Sequence, residues 1–300
     1  MSRIRHEHIY LAIKEENEEK NYPVLTLCKL GGVSRAAYYK WLNHKESSND
    51  ELNNHLAERI EQIHMAHPDM GYRRINDQLR YDDNIQVNDK RILRICRKKQ
   101  IKSCLKYRYD GCTRPSRKPA FIAENILNRE FEAEHPNEKW VTDVTEFKYG
   151  TSFDDVHKLY LSVILDLCDR RPVAYVISDR NDNKLVFDTF DLAVAENPNA
   201  HPIFHSDRGY QYTSRGFHQK LEEAGMVPSM SRVAHCTDNG PMEGFWGILK
   251  REMYYRHKFH DREELVQAIV EFIDYYANGR PQRGLGILTP IEYHKKLLVA

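Results

Sequence analysis

The chain has 300 residues, of which 41% are hydrophobic and 30% are charged. Such a length and composition support a hydrophobic core, exclude a wholly disordered chain and predict more than one folded unit. No window holds about 18 uninterrupted apolar residues, and the first ten residues are charged, so we expect neither a membrane span nor a secretory signal but a cytoplasmic, nucleoid-associated protein.

The six cysteines are widely scattered and form no C-x-x-C pair. We therefore expect reduced, mostly buried thiols and neither a disulfide framework nor a zinc ribbon. Cys104 and Cys112 are a weak candidate for a metal site.

The formal net charge of +1 hides a strongly basic segment between Arg73 and Lys118. This segment contains fifteen basic and five acidic residues, together with Tyr107 and Tyr109. Clustered positive charge of this kind is typical of contacts with nucleic-acid phosphates, although a solvated helix face followed by a linker has a similar composition. The residues predicted to contact DNA here are Arg73, Arg74, Arg91, Arg94, Lys98 and Lys99.

The first third of the chain is predicted to be helical. Helical spacing indicates a helix over His6–Lys20, a second from Pro23 to about Leu30 that ends at two glycines, and a third over Arg35–Leu42 capped by Ser34. A helix, a short glycine turn and a capped helix form a helix-turn-helix, whose second helix binds the major groove of DNA, although many helical hairpins share this pattern. The candidate DNA contacts on that helix are Arg35, Tyr38, Tyr39 and Lys40.

Further short helices are predicted before a basic connector over Ile101–Pro136. Their predicted ranges are Glu51–Ala66, Tyr72–Tyr81 and Val87–Lys99.

Beyond Lys139 the pattern predicts alternating strands and helices in the order βββαβαβαα. Trp140–Tyr149, Lys158–Leu167 and Pro172–Ser178 are expected to form an antiparallel meander. The elements expected to follow are the helix Asn183–Glu196, the strand His201–Ser206, a helix capped by Ser214, the strand Val227–Ser231, and the closing helices Pro241–Tyr255 and Asp261–Asn278. This order predicts a mixed α/β sheet with helices on both faces, consistent with a ribonuclease H-like fold.

Three carboxylates in this region occupy positions where they contribute little to the stability of a fold. Asp143 interrupts a β-favouring stretch, Asp207 follows an apolar strand at a glycine turn, and Glu243 lies in the first turn of a helix. Each has a purely structural interpretation, as an edge-strand, turn or helix-dipole residue. Together they would repel unless a cation joined them, and oxygen ligands favour Mg²⁺ or Mn²⁺, with two ions suited to in-line phosphoryl transfer.

The helix that carries Glu243 has an apolar stripe for docking on the sheet, formed by Met242, Phe245, Trp246, Leu249 and Met253. Glu243 lies at the edge of this stripe, and Lys250 lies two turns further along the same edge. This arrangement suits a phosphodiester chain that crosses the edge. His205 is a possible softer ligand, although a hydrogen bond at the strand end explains it better.

These stretches resemble the DDE transposases of IS-three-type bacterial insertion sequences, in particular their second-frame product with a retroviral integrase-like core. Thirty-five residues separate Asp207 from Glu243, as in that family. The matching stretches are Leu25–Leu42, Gly71–Arg74, Trp140–Asp143, Leu161–Asp166, His205–Tyr212, Ser229–Arg232, Asp238–Asn239, Glu243–Lys250 and Leu288–Tyr293.

The resemblance implies a catalytic and metal-binding triad of Asp143, Asp207 and Glu243, with Lys250 contacting the terminal DNA. It implies metal-dependent cleavage at the element's ends to give a 3′-OH, strand transfer to another phosphodiester, double-stranded DNA as partner, and a homo-oligomeric synaptic complex. Asn239, His205 and Arg232 are second-tier candidates that position Glu243 or hold DNA.

The resemblance also implies an organisation into four parts. These are a helix-turn-helix region over 1–48, a second helical basic region over 49–118, a linker over 119–138, and a ribonuclease H-like integrase core with C-terminal helices over 139–300.

The chain departs from the family pattern in a few places. Gly240 and Gly244 replace the more usual alanine and serine, and the basic run Asn278–Arg283 is slightly shortened. In many relatives, frameshifting joins this product to an upstream helix-turn-helix and zipper segment, so an upstream-frame segment is a further expected partner.

Two other functions use the same features. One is a structure-selective or RNA–DNA hybrid nuclease, which the two helical basic regions disfavour. The other is a DNA-binding regulator with an inactive core, which the retention of three carboxylates and Lys250 disfavours.

Overall fold

The computed structural model describes residues 2–43, 48–105, 120–152, 155–232 and 236–299. The chain divides into two compact units, Met1–Arg59 and Ile60–Ala300, and the boundary falls within a helix. In the described part of the chain, no helix is both long and apolar enough to cross a membrane. The basic residues Lys106, Arg108, Arg114, Arg117 and Lys118, together with Tyr107, Tyr109 and Cys112, lie outside the described residues.

The first unit begins with three helices that end at the expected residues, and the first of them starts earlier than expected. They are α1 (Ser2–Lys20), α2 (Val24–Leu30) and α3 (Arg35–Leu42). The Ser34 hydroxyl accepts a hydrogen bond from the Ala37 N–H at 3.1 Å, which is the predicted cap of α3. Ile13, Cys28 and Tyr38 pack together, one from each helix, and form the core of this hairpin.

The helix α4 (Ser48–Ala66) crosses the unit boundary and leads to the helical pair α5 (Tyr72–Asp83) and α6 (Asp89–Lys98). Asn84 ends α5 in the left-handed conformation with φ 52°, and the Asn88 side chain caps α6 by accepting from the Lys90 N–H. Both helices are strongly amphipathic, since Ile75, Leu79, Ile92, Ile95 and Cys96 are buried while most of the basic residues face outwards.

Five described strands form one mixed sheet in the order β3-β2-β1-β4-β5. They are β1 (Lys139–Tyr149), β2 (His157–Asp166), β3 (Pro172–Ser178), β4 (Ile203–Ser206) and β5 (Val227–Met230). The first three strands pair antiparallel, as the expected meander, whereas β4 and β5 join the other side of β1 in parallel. This arrangement confirms the predicted mixed sheet.

Helices cover both faces of this sheet, as predicted from the alternating pattern. The remaining helices are α7 (Asn183–Glu196), α8 (Arg215–Glu223), α9 (Gly240–Glu252), α10 (Arg262–Asp274) and α11 (Pro290–Val299). One hydrophobic cluster packs α9 and α10 on the face that carries Val141 and Phe147. The other packs α7 and α8 on the face that carries Trp140 and Ile164.

The C-terminal region differs from the expectation of two closing helices, because α11 is a third one in the described residues. Its start has a capping box: the Glu292 carboxylate accepts from the Thr289 N–H at 2.9 Å, and the Thr289 hydroxyl accepts from the Glu292 N–H at 3.3 Å. Pro290 occupies the first turn. The sequence Thr-Pro-x-Glu therefore contained the signal for this helix.

The expected linker over 119–138 also differs, because residues of this segment are buried against the sheet and its helices. Ala123 and Leu127 are buried, the Leu127 N–H donates to the Ser229 hydroxyl, and the Met230 N–H donates to the Glu124 carbonyl. The segment therefore runs along β5 as part of the core, and its polar composition reflects only its exposed side.

Candidate active site

The pairing of β1 with β4 brings two of the predicted carboxylates to the same level of the sheet. Val141 lies opposite His205 in this parallel ladder. Two residues further along each chain stand Asp143 and Asp207, and neighbouring strands are about 4.8 Å apart. The register of β1 and β4 thus places the two aspartates side by side.

Backbone and indole N–H groups hold both carboxylates in place. Asp143 accepts from its neighbour Val144 N–H at 2.8 Å and from the Trp246 indole Nε1 at 3.0 Å. Asp207 accepts from the Gly209 N–H at 2.7 Å, within the turn that follows β4. A Cβ at Gly209 would lie 2.9 Å from the Asp207 carboxylate, so a larger residue here would displace that carboxylate.

The two aspartates form a buried pair of like charges. Burial raises the pKa of Asp143, and the negative charge of Asp207 raises it further. Burial likewise raises the pKa of Asp207. The buried Tyr212 hydroxyl shares a hydrogen bond with Thr142 at 3.2 Å, and burial beside both carboxylates keeps the pKa of Tyr212 well above its usual value, so the phenol remains neutral.

The helix α9 lies against this pair through Trp246. Met242, Phe245, Trp246 and Leu249 are buried, which is the predicted apolar stripe. Sequence reasoning assigned Trp246 only to packing and missed its hydrogen bond to Asp143, for which the sequence offers no signal. The Lys250 ammonium lies 5.6 Å from the centre of the Phe147 ring and exerts an attraction on Asp143 that lowers its pKa.

Glu243 occupies an exposed position in the first turn of α9. It precedes Trp246 by three residues, so the two share one side of the helix. Among the described residues, no three His, Cys, Asp or Glu side chains converge closely enough to hold a metal ion. The structure thus brings Asp143 and Asp207 together and leaves Glu243 exposed, near the contact between α9 and Asp143.

The donor set of the aspartate pair nevertheless suits a divalent cation. Burial makes the charges of Asp143 and Asp207 costly, and the attraction of Lys250 offsets only part of this cost at Asp143, whose pKa is raised on balance. Hard carboxylate oxygens are the ligands that Mg²⁺ and Mn²⁺ prefer.

His205 and Asn239 are buried next to the strands that carry the two aspartates. The buried His205 ring contacts the Ser229 hydroxyl at 2.9 Å and the Ser231 hydroxyl at 3.0 Å, and burial lowers its pKa to about 4. Both ring nitrogens are thus occupied, which disfavours His205 as a metal ligand. The Asn239 amide donates to the Thr142 carbonyl at 3.0 Å and so ties the start of α9 to the strand of Asp143.

The structure requires two corrections among the predicted DNA contacts. Tyr38 is 2% exposed and belongs to the core of the first unit, whereas Arg35, Tyr39 and Lys40 face outwards. Arg74 is engaged with the Asp69 carboxylate at 2.8 Å and the Glu252 carboxylate at 2.9 Å. Tyr38 is thus a core residue and Arg74 is engaged in ion pairs, and both roles depend on contacts between helices that the periodicity of one segment does not predict.

The other predicted contacts of the helical pair keep a basic outer face. Arg73, Arg94, Lys98 and Lys99 are exposed, and Arg91 is half-buried. Arg232 is partly exposed and forms an ion pair with Asp238. Cys28, Cys96 and Cys168 are buried free thiols, as expected, and Cys104 is an exposed one.

Two family models named integrase core domain match residues 133–236 and 243–298, and one named HTH-like domain matches residues 51–109. The chain is 36% identical to the putative transposase InsK of insertion sequence element IS150 from Escherichia coli over 92% of its own length and 94% of that protein. The chain belongs to the transposases of IS3-type bacterial insertion sequences.

Other relatives agree with this assignment. The transposase is 32% identical over 90% of its length to a 31 kDa protein of insertion element IS600 from Shigella sonnei, and 25% identical over 94% to transposase InsF of IS3A from Escherichia coli. Its fold also resembles a structure of the HTLV-2 integrase catalytic core domain in complex with magnesium, with a TM-score of 0.41 at 18% identity, covering 54% of this chain and 98% of that one.

The integrase core of the transposase implies a polynucleotidyl transferase. The HTH-like match contains α5 and α6 and lies within the second helical region.

Proposed function

We propose that this transposase cleaves DNA at the ends of its insertion sequence and transfers the resulting 3′ ends to new phosphodiesters, with Asp143, Asp207 and Glu243 as its catalytic residues. The observation that carries this proposal is the buried pair of aspartates on neighbouring strands, each held by N–H donors. Burying two like charges on neighbouring strands lowers the stability of the fold, which indicates that the two carboxylates have a function.

Asp143 and Asp207 would hold one side of a divalent metal centre, and Glu243 the other. Two bound Mg²⁺ or Mn²⁺ ions would supply activation of the attacking oxygen and stabilisation of the leaving oxygen in an in-line displacement. The Gly209 and Val144 N–H groups orient the carboxylates, and Tyr212 stays neutral beside them. The hydrogen bond from Trp246 to Asp143 holds α9 against β1 and thereby positions Glu243.

DNA binding is assigned to the exposed basic faces. Lys250 supplies positive charge beside Asp143, where a phosphodiester must approach, and the outer face of α5 and α6 supplies Arg73, Arg94, Lys98 and Lys99. We expect at least two chains to act together, because transposition joins two ends, and an upstream-frame segment remains a proposed partner.

The experiment uses labelled duplexes that carry the terminal repeats of the insertion sequence, incubated with the protein and Mn²⁺. Asp143→Asn, Asp207→Asn and Glu243→Gln are each expected to abolish nicked and strand-transfer products while the affinity for the duplex is retained. Asp188→Asn, on the exposed side of α7, is the matched control and should keep full activity. Full activity of all three triad variants would refute the assignment, as would products formed in the presence of a chelator.

A further inference from the structure

A buried carboxylate before α9 forms ion pairs with two arginines from separate segments of the chain. Asp238 is 0% exposed. The Arg232 guanidinium binds it in a fork, with Nε at 2.8 Å from one oxygen and Nη2 at 2.8 Å from the other, and the Arg232 backbone N–H adds a third bond at 3.1 Å. Arg129 donates from Nε at 2.7 Å, and Asn125 donates from its amide at 3.0 Å.

The cluster has more positive charge than its own stability requires. The forked Arg232 and the Arg129 side chain keep the pKa of Asp238 well below its usual range, so the carboxylate stays ionised. One carboxylate and two guanidiniums leave a net charge of +1. Since Arg232 already satisfies both oxygens of Asp238, Arg129 is surplus to neutralisation.

Both arginines reach the surface. The Arg129 side chain is 47% exposed and the Arg232 side chain is 44% exposed, although their shared carboxylate is fully buried. In the described part of the chain, no contact occupies the terminal Nη groups of Arg129. The buried Asp238 therefore fixes two guanidiniums from below and leaves donors on their outer side, which is the arrangement that binds phosphate oxygens.

The position of the cluster relates it to the aspartate pair. Asn239, the next residue after Asp238, donates to the Thr142 carbonyl beside Asp143. On the other side, the Arg208 guanidinium donates to the Ser231 carbonyl, next to Arg232, and Arg208 follows Asp207. The chain neighbours of Asp238 and Arg232 are thus hydrogen-bonded to the chain neighbours of Asp143 and Asp207.

We propose that Arg129 and Arg232, held on Asp238, form a binding site for DNA backbone phosphate beside the catalytic pair. Arg129 is the new member, since no sequence pattern distinguishes it from other surface arginines. Asp238 acts as a positioning residue and does not itself contact DNA. The inference rests on the proposed function, because it assumes that DNA reaches the aspartate pair.

Arg129→Ala is the decisive variant, because Asp238 keeps its fork with Arg232 and the fold should survive. Binding of a labelled terminal duplex is measured over a range of salt concentrations, alongside thermal melting. We expect affinity to fall about fivefold and the slope of log K against log salt to fall by about 1, with the melting temperature nearly unchanged.

Arg129→Lys restores the charge and should restore most of the affinity and the slope. Arg262→Ala is the matched control, because Arg262 forms a similar ion pair with Asp179 at 2.7 Å and its side chain is 39% exposed. The same titrations with a duplex that lacks the terminal repeats assign the source of the phosphate: an equal loss indicates backbone contact with any DNA, and a loss confined to the terminal duplex indicates the element end.

An Arg129→Ala variant with wild-type affinity and salt slope would overturn the proposal. A variant that melts at a much lower temperature and is not rescued by lysine would also overturn it, in favour of a structural role. Failure of the proposed function is recognised separately, because it shows as activity in the triad variants and leaves these binding titrations unaffected.

Discussion

The end of α9 is held by a largely buried ion-pair network whose loss should be measurable. The Glu252 carboxylate is 8% exposed and binds Arg74 at 2.9 Å and Arg280 at 2.9 and 3.0 Å. Arg74 also binds Asp69, which in turn binds Arg256 at 3.1 Å. This network ties the helical pair, through Arg74, to the helix that carries Glu243 and Lys250.

Glu252→Gln removes the negative charge and leaves Arg74 and the 11%-exposed Arg280 undercompensated. Removing one partner of a buried ion pair costs about 3–5 kcal/mol, and since glutamine retains one acceptor we expect about 3 kcal/mol here. For a unit of this size, such a loss lowers the melting temperature by about 6–12 °C.

The assay is thermal melting followed by far-ultraviolet circular dichroism, with strand transfer measured below the melting range. Glu263→Gln, the same substitution at an exposed position of α10, is the control and should melt like the wild type. In a double-mutant cycle with Arg74→Met, the two losses should be less than additive because the residues share one network. A Glu252→Gln protein that melts within about 1 °C of the wild type would refute the reasoning.

Three further predictions follow from single contacts. Gly209→Ala should displace the Asp207 carboxylate and reduce cleavage by about 100-fold with little change in melting, whereas near-normal cleavage would show that the turn adapts. Ser34→Ala should cost about 1 kcal/mol of helix stability, seen as faster amide hydrogen exchange in α3, and unchanged exchange would contradict the cap. The hydrogen bond from Arg283, with a smaller contribution from Asn76, lowers the pKa of Asp89 to about 2. The pair therefore stabilises the fold above about pH 4, and its contribution of about 1 kcal/mol, after allowance for solvent screening, is lost as pH falls through about 2. Arg283→Met removes this pair together with the ion pair to Asp77 at 2.6 Å, so it should be less stable than the wild type in urea denaturation at about pH 6. The difference should shrink as pH falls to about 2, and a difference that does not change with pH would contradict the Asp89 pairing.

Local sequence signals predicted most of the helices and strands, because helix caps and apolar periodicity involve residues that are close together in the chain. The Ser34 cap, the apolar stripe of α9 and the nearly continuous apolar run of β2 all act within one element, and each lies where the sequence indicated. The capping box at Thr289 was equally local, and the helix it starts was open to the same reasoning.

The sequence by itself determined the chemistry available to this transposase: three carboxylates, a basic helical region and a lysine on the helix of Glu243. Only the tertiary structure decided how those groups are used. The ladder of β1 and β4 places Asp143 beside Asp207, while Tyr38 and Arg74 turn inwards and Arg129 meets Asp238 from more than a hundred residues away. Strand register and helix docking depend on packing between distant segments, and local periodicity contains no information about which segments meet.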